Sequence, residues 1–313
     1  MIERIERHAG VGALLEVLAE RLPPTDLQSL LLEAYRRRAA AVSPGRLLER
    51  YRRDRFTAPA GVDPRSMAEL DLLVFSLLPD GYEAVELSPV CPLGTNSAIA
   101  TVDQNKVLTT IRNSEVVADT TNVLALECAA RRHELLRRDA RSAARVRLAS
   151  SQRVVRAQPF RGPASHQHFR LLGLVAAGRD RGSFRFEVES LLEQLGFFLR
   201  LLQAVGVADA LVAITDLEGG HRSAALEADV LAPLAGRFPQ ASCRLDPGRT
   251  TGRGYYTGAC FDISAVDPTG KELQLVDGGF TTWTRRLLSN EKERLLISGL
   301  GTERLRERFA IRP

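Results

Sequence analysis

The sequence predicts an α+β fold: a largely antiparallel β-sheet flanked by helices, with a helical extension at the N-terminus. Apolar residues follow a helical period up to about residue 55. Beyond residue 65, helical patterns alternate with strand-like runs at hairpin spacing. Residues 267–270, Asp-Pro-Thr-Gly, have the composition of a tight turn between two such runs. These three observations favour α+β packing over an all-helical or a parallel α/β fold.

The N-terminal extension is predicted to comprise residues 1–60. Its two apolar runs at helical spacing are separated by Pro23-Pro24, and Thr25 or Asp26 is expected to cap the second helix. The basic stretch 46–55, RLLERYRRDR, favours a solvated helix face over a phosphate-binding strip. A linker of small residues and proline at 58–61 then leads into the core, residues 61–313.

The core contains both element types. Helical patterns are expected at 66–78, 122–138 and 186–205, and after Gly301. Strand-like runs are expected at 84–90, 106–112, 145–155, 172–177, 210–215, 255–266 and 272–276. Because several of these runs follow one another at hairpin spacing, most strand pairs should be antiparallel.

Composition limits the class of protein. The chain has 313 residues, of which 44% are hydrophobic and 26% charged, so it is long enough to bury a core and too apolar to be disordered. It has no run of about 18 apolar residues and no secretory signal pattern, so we expect a cytoplasmic protein without a membrane partner.

The four cysteines lack zinc-site spacing and are expected to be reduced thiols. The net charge is +5, but 40 of the 43 basic residues are arginine, which favours a compositional bias over a nucleic-acid surface.

Three separated segments carry the residue types of an anion-binding site. In residues 153–173, Arg156 follows a strand and precedes a polar loop, a hairpin that can hold an anion. Residues 246–262 are rich in glycine, arginine and hydroxyl groups before an aromatic strand. Residues 297–305 place two glycines at the end of a strand and Glu303-Arg304 at the start of a helix. Glycines allow close backbone approach, and Arg304 offers a planar fork to an anion.

In this order, the segments resemble the catalytic core of class II aminoacyl-tRNA synthetases, closest to the histidyl-tRNA synthetase branch. Residues 301–305, Gly-Thr-Glu-Arg-Leu, resemble motif 3, and Arg156 lies where motif 2 has its ATP-binding arginine. Residues 254–258, Gly-Tyr-Tyr-Thr-Gly, resemble the end of the histidyl signature Arg-Gly-Leu-Asp-Tyr-Tyr-Thr-Gly. Asp119-x-Thr121 resembles the Arg-Pro-Glu-Gly-Thr turn that holds the α-ammonium. Residues 88–90 correspond to the end of motif 1, which builds the dimer interface in this family.

The resemblance implies ATP and Mg²⁺ as cofactors, and it assigns roles to individual residues. Arg156 and Arg304 would bind the α- and γ-phosphates of a bent ATP, and Asp119 would hold the ammonium of the amino acid. The ATP-binding candidates are Arg156, Gln158, Glu303 and Arg304. The amino-acid-binding candidates are Asp119, Thr121, Tyr255, Tyr256, Gly278 and Gly279. The catalytic candidates are Arg156, Arg253 and Arg304, and the candidate Mg²⁺ ligands are Asp262 and Asp277.

The sequence departs from the family's pattern at two charged positions of the site. Gln158 stands where motif 2 has a glutamate, which replaces a charged partner by a neutral one. Thr251 stands where the histidyl signature has its catalytic arginine. Arg249 and Arg253 flank this position, and either is a candidate to reach the same phosphate from another backbone position.

The departures extend to the substrate pocket. Leu171 and Val175 replace the polar residues that line the histidine pocket of the family, and Gly-Gly-Phe-Thr-Thr at 278–282 replaces Gly-Gly-Arg-Tyr-Asp. A pocket without those polar contacts is not expected to select histidine. The chain also ends shortly after the motif 3 segment, where the family continues into an anticodon-binding domain. Ordinary tRNA charging is therefore not expected.

Two functional hypotheses remain, and both predict a homodimer. In the first, a stand-alone synthetase-like ligase adenylates an amino acid or related carboxylate and passes the acyl group to a carrier protein, a small molecule or a protein side chain. In the second, the chain is a regulatory protein that resembles the synthetase-like subunit of the short-form ATP phosphoribosyltransferase of histidine biosynthesis. A third hypothesis, an RNA-binding paralogue that uses the basic N-terminal helices, has weaker support.

Overall fold

Eight strands form one sheet, and a separate two-stranded hairpin lies beside it. The computed structural model describes residues 1–158, 167–207 and 209–309. The strands are β1 (Glu83–Ala84), β2 (Val90–Pro92), β3 (Ser114–Val116), β4 (Val146–Val155), β5 (His168–Arg179), β6 (Ala210–Asp216), β7 (Ser242–Leu245), β8 (Thr257–Val266), β9 (Glu272–Thr281) and β10 (Glu293–Gly301). Part of the predicted anion-binding hairpin, residues 159–166, lies outside the described residues.

The helices are distributed along the whole chain. The α-helices are α1 (Ile2–Ala9), α2 (Leu14–Glu16), α3 (Pro24–Ala40), α4 (Pro44–Arg53), α5 (Pro64–Ser76), α6 (Thr120–Arg138), α7 (Arg185–Ala204), α8 (Ser223–Leu226), α9 (Ala232–Arg237), α10 (Trp283–Leu287) and α11 (Thr302–Phe309). Three π-helical turns (Val17–Arg21, Thr95–Ile99 and Glu227–Leu231) and a 3₁₀ turn (Gln104–Lys106) complete the described helical segments. Among the described residues, no helix is long and apolar enough to cross a membrane.

The sheet is largely antiparallel, as the sequence predicts. Its strand order is β1-β4-β5-β10-β9-β8-β6-β7, and the parallel pairs are β1 with β4 and β6 with β7, at the two edges. The predicted turn at 267–270 joins β8 to β9, where the Asp267 side chain accepts hydrogen bonds from the backbone of Thr269 and Lys271. Gly270 adopts φ 83°, a conformation that side chains with a Cβ rarely take.

Two of the predicted strands are largely absent from the structure. The run at 84–90 yields only the end of β1 and the start of β2. The backbone N–H of Val85 still donates to the Ala149 carbonyl oxygen, whereas Pro89 has no N–H to donate to a neighbouring strand. The run at 106–112 forms no strand. It begins in the 3₁₀ turn, and Thr110 then closes a turn on Ser114, with its N–H 2.8 Å from the Ser114 carbonyl oxygen. Only an isolated bridge at Thr109 remains there.

The N-terminal extension is helical, as predicted, and helices α1 to α4 contain no buried residue. The predicted cap at Thr25 or Asp26 is wrong, because α3 already begins at Pro24 and has no side-chain cap. Proline suits a first helical position, since its fixed φ is already helical and it has no N–H to satisfy. The division of the chain at residue 60 stays a prediction.

The central strands place alternate residues on opposite faces of the sheet, as the two-residue period of a strand requires. On β10, Leu296 and Leu300 pack into the larger core cluster together with the apolar face of α7. Leu295 and Ile297 pack into a second cluster together with residues of α6. The site described below lies on this second face.

Candidate active site

A cavity of about 1000 Å³ opens on the α6 face of the sheet. It is lined by the end of β4, the start of α6, the loop 249–256, the strands β9 and β10, and the start of α11. All three anion-binding segments therefore meet in one place. Of the predicted site residues, those that line the cavity are Asp119, Thr121, Arg156, Gln158, Tyr255, Tyr256, Asp277, Glu303 and Arg304. Those that do not are Arg253, Asp262, Gly278 and Gly279.

Arg156 and Asp119 form an ion pair on the cavity wall. Arg156 donates from Nη2 to Asp119 Oδ2 at 3.0 Å and from Nε to the Ala118 carbonyl oxygen at 3.0 Å. Its guanidinium also lies over the Phe169 ring, 5.1 Å from the centroid. The other oxygen of Asp119 caps α6, because it accepts hydrogen bonds from the backbone N–H and the hydroxyl of Thr121. The carboxylate is thus fixed by its own helix on one side and by Arg156 on the other.

Arg249 is buried between two carboxylates. Asp262 and Asp277 are cross-strand partners on β8 and β9, an arrangement that is destabilising for like charges. The Arg249 side chain, 5% exposed, donates to Asp262 Oδ2 at 3.0 Å and to Asp277 Oδ1 at 2.5 Å. Burial raises the pKa of Asp262, and the charge of Arg249 acts in the opposite direction. Arg249, rather than Arg253, is therefore the arginine of this loop that lines the cavity.

This arrangement does not fit Mg²⁺ at Asp262 and Asp277. The guanidinium already satisfies both carboxylates, and Asp277 accepts a further hydrogen bond from the Tyr256 hydroxyl at 2.7 Å. Within residues 1–158, 167–207 and 209–309, no group of three or more His, Cys, Asp or Glu side chains could hold a metal ion. Both carboxylates that the resemblance assigns to Mg²⁺ are therefore engaged by protein donors instead.

The start of α11 contributes one buried anion and one exposed cation. Glu303 is 2% exposed and forms an ion pair with Arg153 of β4. Arg304 is exposed and lines the cavity, and its side chain has no ion pair or hydrogen bond among the residues that the structure describes. Lys106 and Lys271 also line the cavity, which therefore holds two of the three lysines in the chain. The cavity lining thus includes three cationic side chains that can bind an anion, together with the carboxylates of Glu303 and Glu307 on α11.

The two glycines of β9 have a packing role. A Cβ on Gly279 would lie 2.6 Å from the Tyr256 ring, and a Cβ on Gly278 would lie 2.5 Å from the Phe261 ring on the opposite face. Both distances are shorter than van der Waals contact allows. The absence of a side chain at Gly279 therefore lets the Tyr256 ring pack close to the sheet, where its hydroxyl donates to Asp277. Tyr255 packs edge-on against Tyr256 and Trp283, which fixes this end of the cavity.

A buried amide network on the cavity wall was not predicted. Asn96 and Asn122 both line the cavity and are almost fully buried, together with Glu115. The side chain of Asn122 donates to that of Asn96, which in turn donates to Glu115. The sequence offers one weak signal, since Asn122 directly follows the Asp119-x-Thr121 turn.

Solved structures with the same fold are synthetase-like. The apo histidyl-tRNA synthetase of S. aureus matches with a TM-score of 0.60 and 16% identity, over 82% of this chain and 71% of that chain. An ATP phosphoribosyltransferase regulatory subunit/histidyl-tRNA synthetase from Bacillus halodurans C matches with a TM-score of 0.56 and 14% identity, over 81% of this chain and 83% of that chain. The histidyl-tRNA synthetase from Nostoc sp. PCC 7120 matches with a TM-score of 0.56 and 14% identity, over 82% of this chain and 74% of that chain.

At the level of sequence, no family model matches the chain, and no curated protein matches it. The structural matches confirm the predicted class II synthetase-like fold. At these identities the likeness concerns the fold alone.

Proposed function

We propose that the protein activates an amino acid or related carboxylate by ATP-dependent adenylation. In this reaction a carboxylate oxygen attacks the α-phosphorus of ATP, the bond from that phosphorus to the bridging oxygen breaks, and pyrophosphate leaves with the electron pair. The observation that carries the proposal is that Arg156, Arg304 and Asp119 line one cavity. Two guanidinium groups that can bind phosphates, and one carboxylate that can bind the ammonium group of an amino acid, are the groups that this chemistry requires.

Asp119 and Arg156 are suited to hold the two ends of an amino acid's backbone. The ammonium and carboxylate of an α-amino acid are attached to the same carbon, so an ammonium on Asp119 places the carboxylate near Arg156. The guanidinium can then contact both the attacking carboxylate and the α-phosphate, where negative charge accumulates in the transition state. The 3.0 Å ion pair fixes both groups before a ligand enters.

Arg304 is suited to hold the far end of the triphosphate. Because its guanidinium has no ion pair among the described residues, a phosphate would not have to displace a protein carboxylate from it. Lys106 and Lys271 add positive charge to the walls of the same cavity. When bound, ATP supplies the leaving group and the phosphorus that is attacked.

The acceptor in this proposal is a carrier protein, a small molecule or a protein side chain. The test of the activation step does not require the acceptor. Exchange of labelled pyrophosphate into ATP is measured with each common amino acid in turn. We expect one of these amino acids to support exchange. If no amino acid of that panel supports exchange and calorimetry detects no ATP binding, the proposal is contradicted.

A second candidate function is a regulatory subunit, and one observation favours it. Position 251 is threonine where the histidyl signature has its catalytic arginine, and Arg249 is held by two carboxylates. One structural match is itself described as an ATP phosphoribosyltransferase regulatory subunit/histidyl-tRNA synthetase. If this candidate is right, the chain will raise the activity of a catalytic phosphoribosyltransferase subunit and will support no pyrophosphate exchange.

We further propose a homodimer formed through α5 and the segment 88–90. Leu72 of α5 is 73% exposed, and Phe75 and Val90 are also exposed apolar residues. Light scattering should give the mass of a dimer for the full chain, and Leu72→Glu should give a monomer. Leu48→Glu, at a 60% exposed position of α4, is the matched control and should leave the dimer intact. A monomeric wild-type chain would contradict this assignment.

A further inference from the structure

Three buried polar side chains are linked by hydrogen bonds beside the cavity. Two of them, Asn96 and Asn122, line it, and the third, Glu115, does not. Glu115, Asn96 and Asn122 are 0%, 1% and 0% exposed. Asn96 donates from Nδ2 to Glu115 Oε1 at 2.7 Å, and Asn122 donates from Nδ2 to Asn96 Oδ1 at 2.8 Å. Glu115 accepts further hydrogen bonds from the Gln104 side chain and from two backbone N–H groups, those of Gly94 and Asn96.

The charge of Glu115 fixes the orientation of both amides. Burial opposes ionisation of Glu115, but the N–H groups of Asn96, Gln104 and Gly94 outweigh it and hold its pKa below the usual range. An ionised carboxylate only accepts hydrogen bonds, so Asn96 must turn its NH₂ group toward Glu115. The Asn96 oxygen then faces Asn122, which must present its own NH₂ group. The oxygen of Asn122 is the last in this series of hydrogen-bonding groups.

That oxygen has no partner. Asn122 Oδ1 is buried and accepts no hydrogen bond from any residue that the structure describes. Asn122 lies in the first turn of α6, three residues after the N-cap Asp119, and both residues line the cavity. A buried acceptor without a donor is costly, and a ligand with an N–H or O–H group at this point would remove that cost.

We propose that Asn122 is a specificity-determining residue that accepts a hydrogen bond from the side chain of the substrate. This inference rests on the proposed adenylation of an amino acid, and it narrows the substrate class. With the ammonium on Asp119, the side chain extends toward Asn122, which lines the same cavity. The substrate is therefore an amino acid whose side chain carries an N–H or O–H donor, and an apolar amino acid of the same shape is rejected.

Matched pairs of amino acids test the proposal on the full chain. The pairs are threonine with valine, asparagine with leucine, glutamine with methionine, and tyrosine with phenylalanine, and binding is measured by calorimetry. In at least one pair, the member with the donor should bind about 10- to 100-fold more tightly, the range expected when a buried acceptor is left unpaired. In Asn122→Leu, which has nearly the same shape, this preference should disappear.

Glu115→Gln provides an independent test of the orientation argument. Glutamine can donate as well as accept, so it can let both amides reverse and turn the NH₂ group of Asn122 into the cavity. The preference for a side-chain donor should then weaken by at least about 10-fold, since the oxygen no longer faces the ligand. Thermal unfolding of both variants, with α6 intact by circular dichroism, shows that the change is in the site rather than in the fold.

The outcomes separate this inference from the proposed function. Equal binding within every pair, a preference that survives in Asn122→Leu, or pyrophosphate exchange supported only by an apolar amino acid would overturn the role of Asn122 and leave adenylation standing. A water molecule that stays on Asn122 Oδ1 in a liganded crystal structure would overturn it too. Absence of amino-acid binding and of exchange would remove both proposals together.

Discussion

Arg156 and Asp119 are joined by a 3.0 Å ion pair on the wall of the cavity. The cation expected at the α-phosphate and the anion expected at the ammonium therefore neutralise each other in the ligand-free protein. A zwitterionic ligand can enter by placing opposite charges beside each member, so neither is left unpaired. A ligand with a carboxylate but no ammonium gains only half of these contacts.

Asp119→Asn tests the role of this carboxylate without removing the helix cap. Asparagine still caps α6 through its side-chain oxygen, but its NH₂ group then faces Arg156, so stability should fall only by the loss of this partly exposed ion pair. The ammonium loses a charged partner, and kcat/KM for amino-acid-dependent pyrophosphate exchange should fall about 10- to 100-fold. Asp119→Ala is the comparison, because it removes the cap as well and should also lower the free energy of unfolding by about 1 kcal/mol. Unchanged kcat/KM in Asp119→Asn would remove the ammonium role.

Arg304→Ala tests the cation at the far end of the triphosphate. Loss of a preorganised charge that stabilises the transition state should lower the rate of exchange by about 10²- to 10³-fold. Arg306→Ala is the matched control, since Arg306 lies on the same helix and does not line the cavity. Similar rates in the two variants would contradict the placement of Arg304 at the phosphates.

Glu293→Gln tests the buried ion pair that joins α6 to β10. Arg132 and Glu293 are both fully buried and make two hydrogen bonds of 2.7 and 2.8 Å. Removing one charge leaves the other uncompensated, so the free energy of unfolding should fall by about 3–5 kcal/mol in chemical denaturation. Glu134→Gln, which breaks the exposed pair with Arg137, should change stability little. Equal effects would show that burial does not determine the strength of these pairs.

Gly279→Ala tests the close approach of Tyr256 to the sheet. The added Cβ would lie 2.6 Å from the ring, and the displacement should cost about 1–3 kcal/mol in unfolding free energy. The shifted Tyr256 should also lose its hydrogen bond to Asp277, with a loss of ligand affinity. Gly236→Ala, in α9 with no atom within 4 Å of the new Cβ, should be neutral or slightly stabilising. A neutral Gly279→Ala would contradict the packing role.

Much of the fold could be predicted from the sequence, because the central strands and long helices have clear periods. The strands β4, β6 and β8 and the helices α6 and α7 lie close to their predicted positions, whereas β9 continues to Thr281, beyond its predicted end at residue 276. The run at 106–112 was wrongly predicted to be a strand. Its apolar residues suit a strand, but the turn between Thr110 and Ser114 interrupts the extended backbone. Residues 223–237 were not predicted as helical, because a π-helical turn interrupts the period between α8 and α9.

The site could be predicted only where residues lie within a motif. Spacing alone does not tell which arginine of the loop lines the cavity: Arg249 lines it, whereas Arg253 is exposed and donates from Nε to the Arg249 carbonyl oxygen. The Glu115–Asn96–Asn122 network joins β3, a π-helical turn and α6, and no local pattern marks a glutamate that will be fully buried. Such long-range polar contacts follow from the fold rather than from spacing.

Detection of an enzyme-bound aminoacyl adenylate by mass spectrometry tests the central claim most directly. The full chain would be incubated with ATP, magnesium and a mixture of the common amino acids, with Arg304→Ala in parallel. The proposed function predicts one new species with the mass of AMP joined to a single amino acid through loss of water, and far less of it in Arg304→Ala. Intact ATP and no such species in the wild-type protein would contradict adenylation and favour the regulatory function.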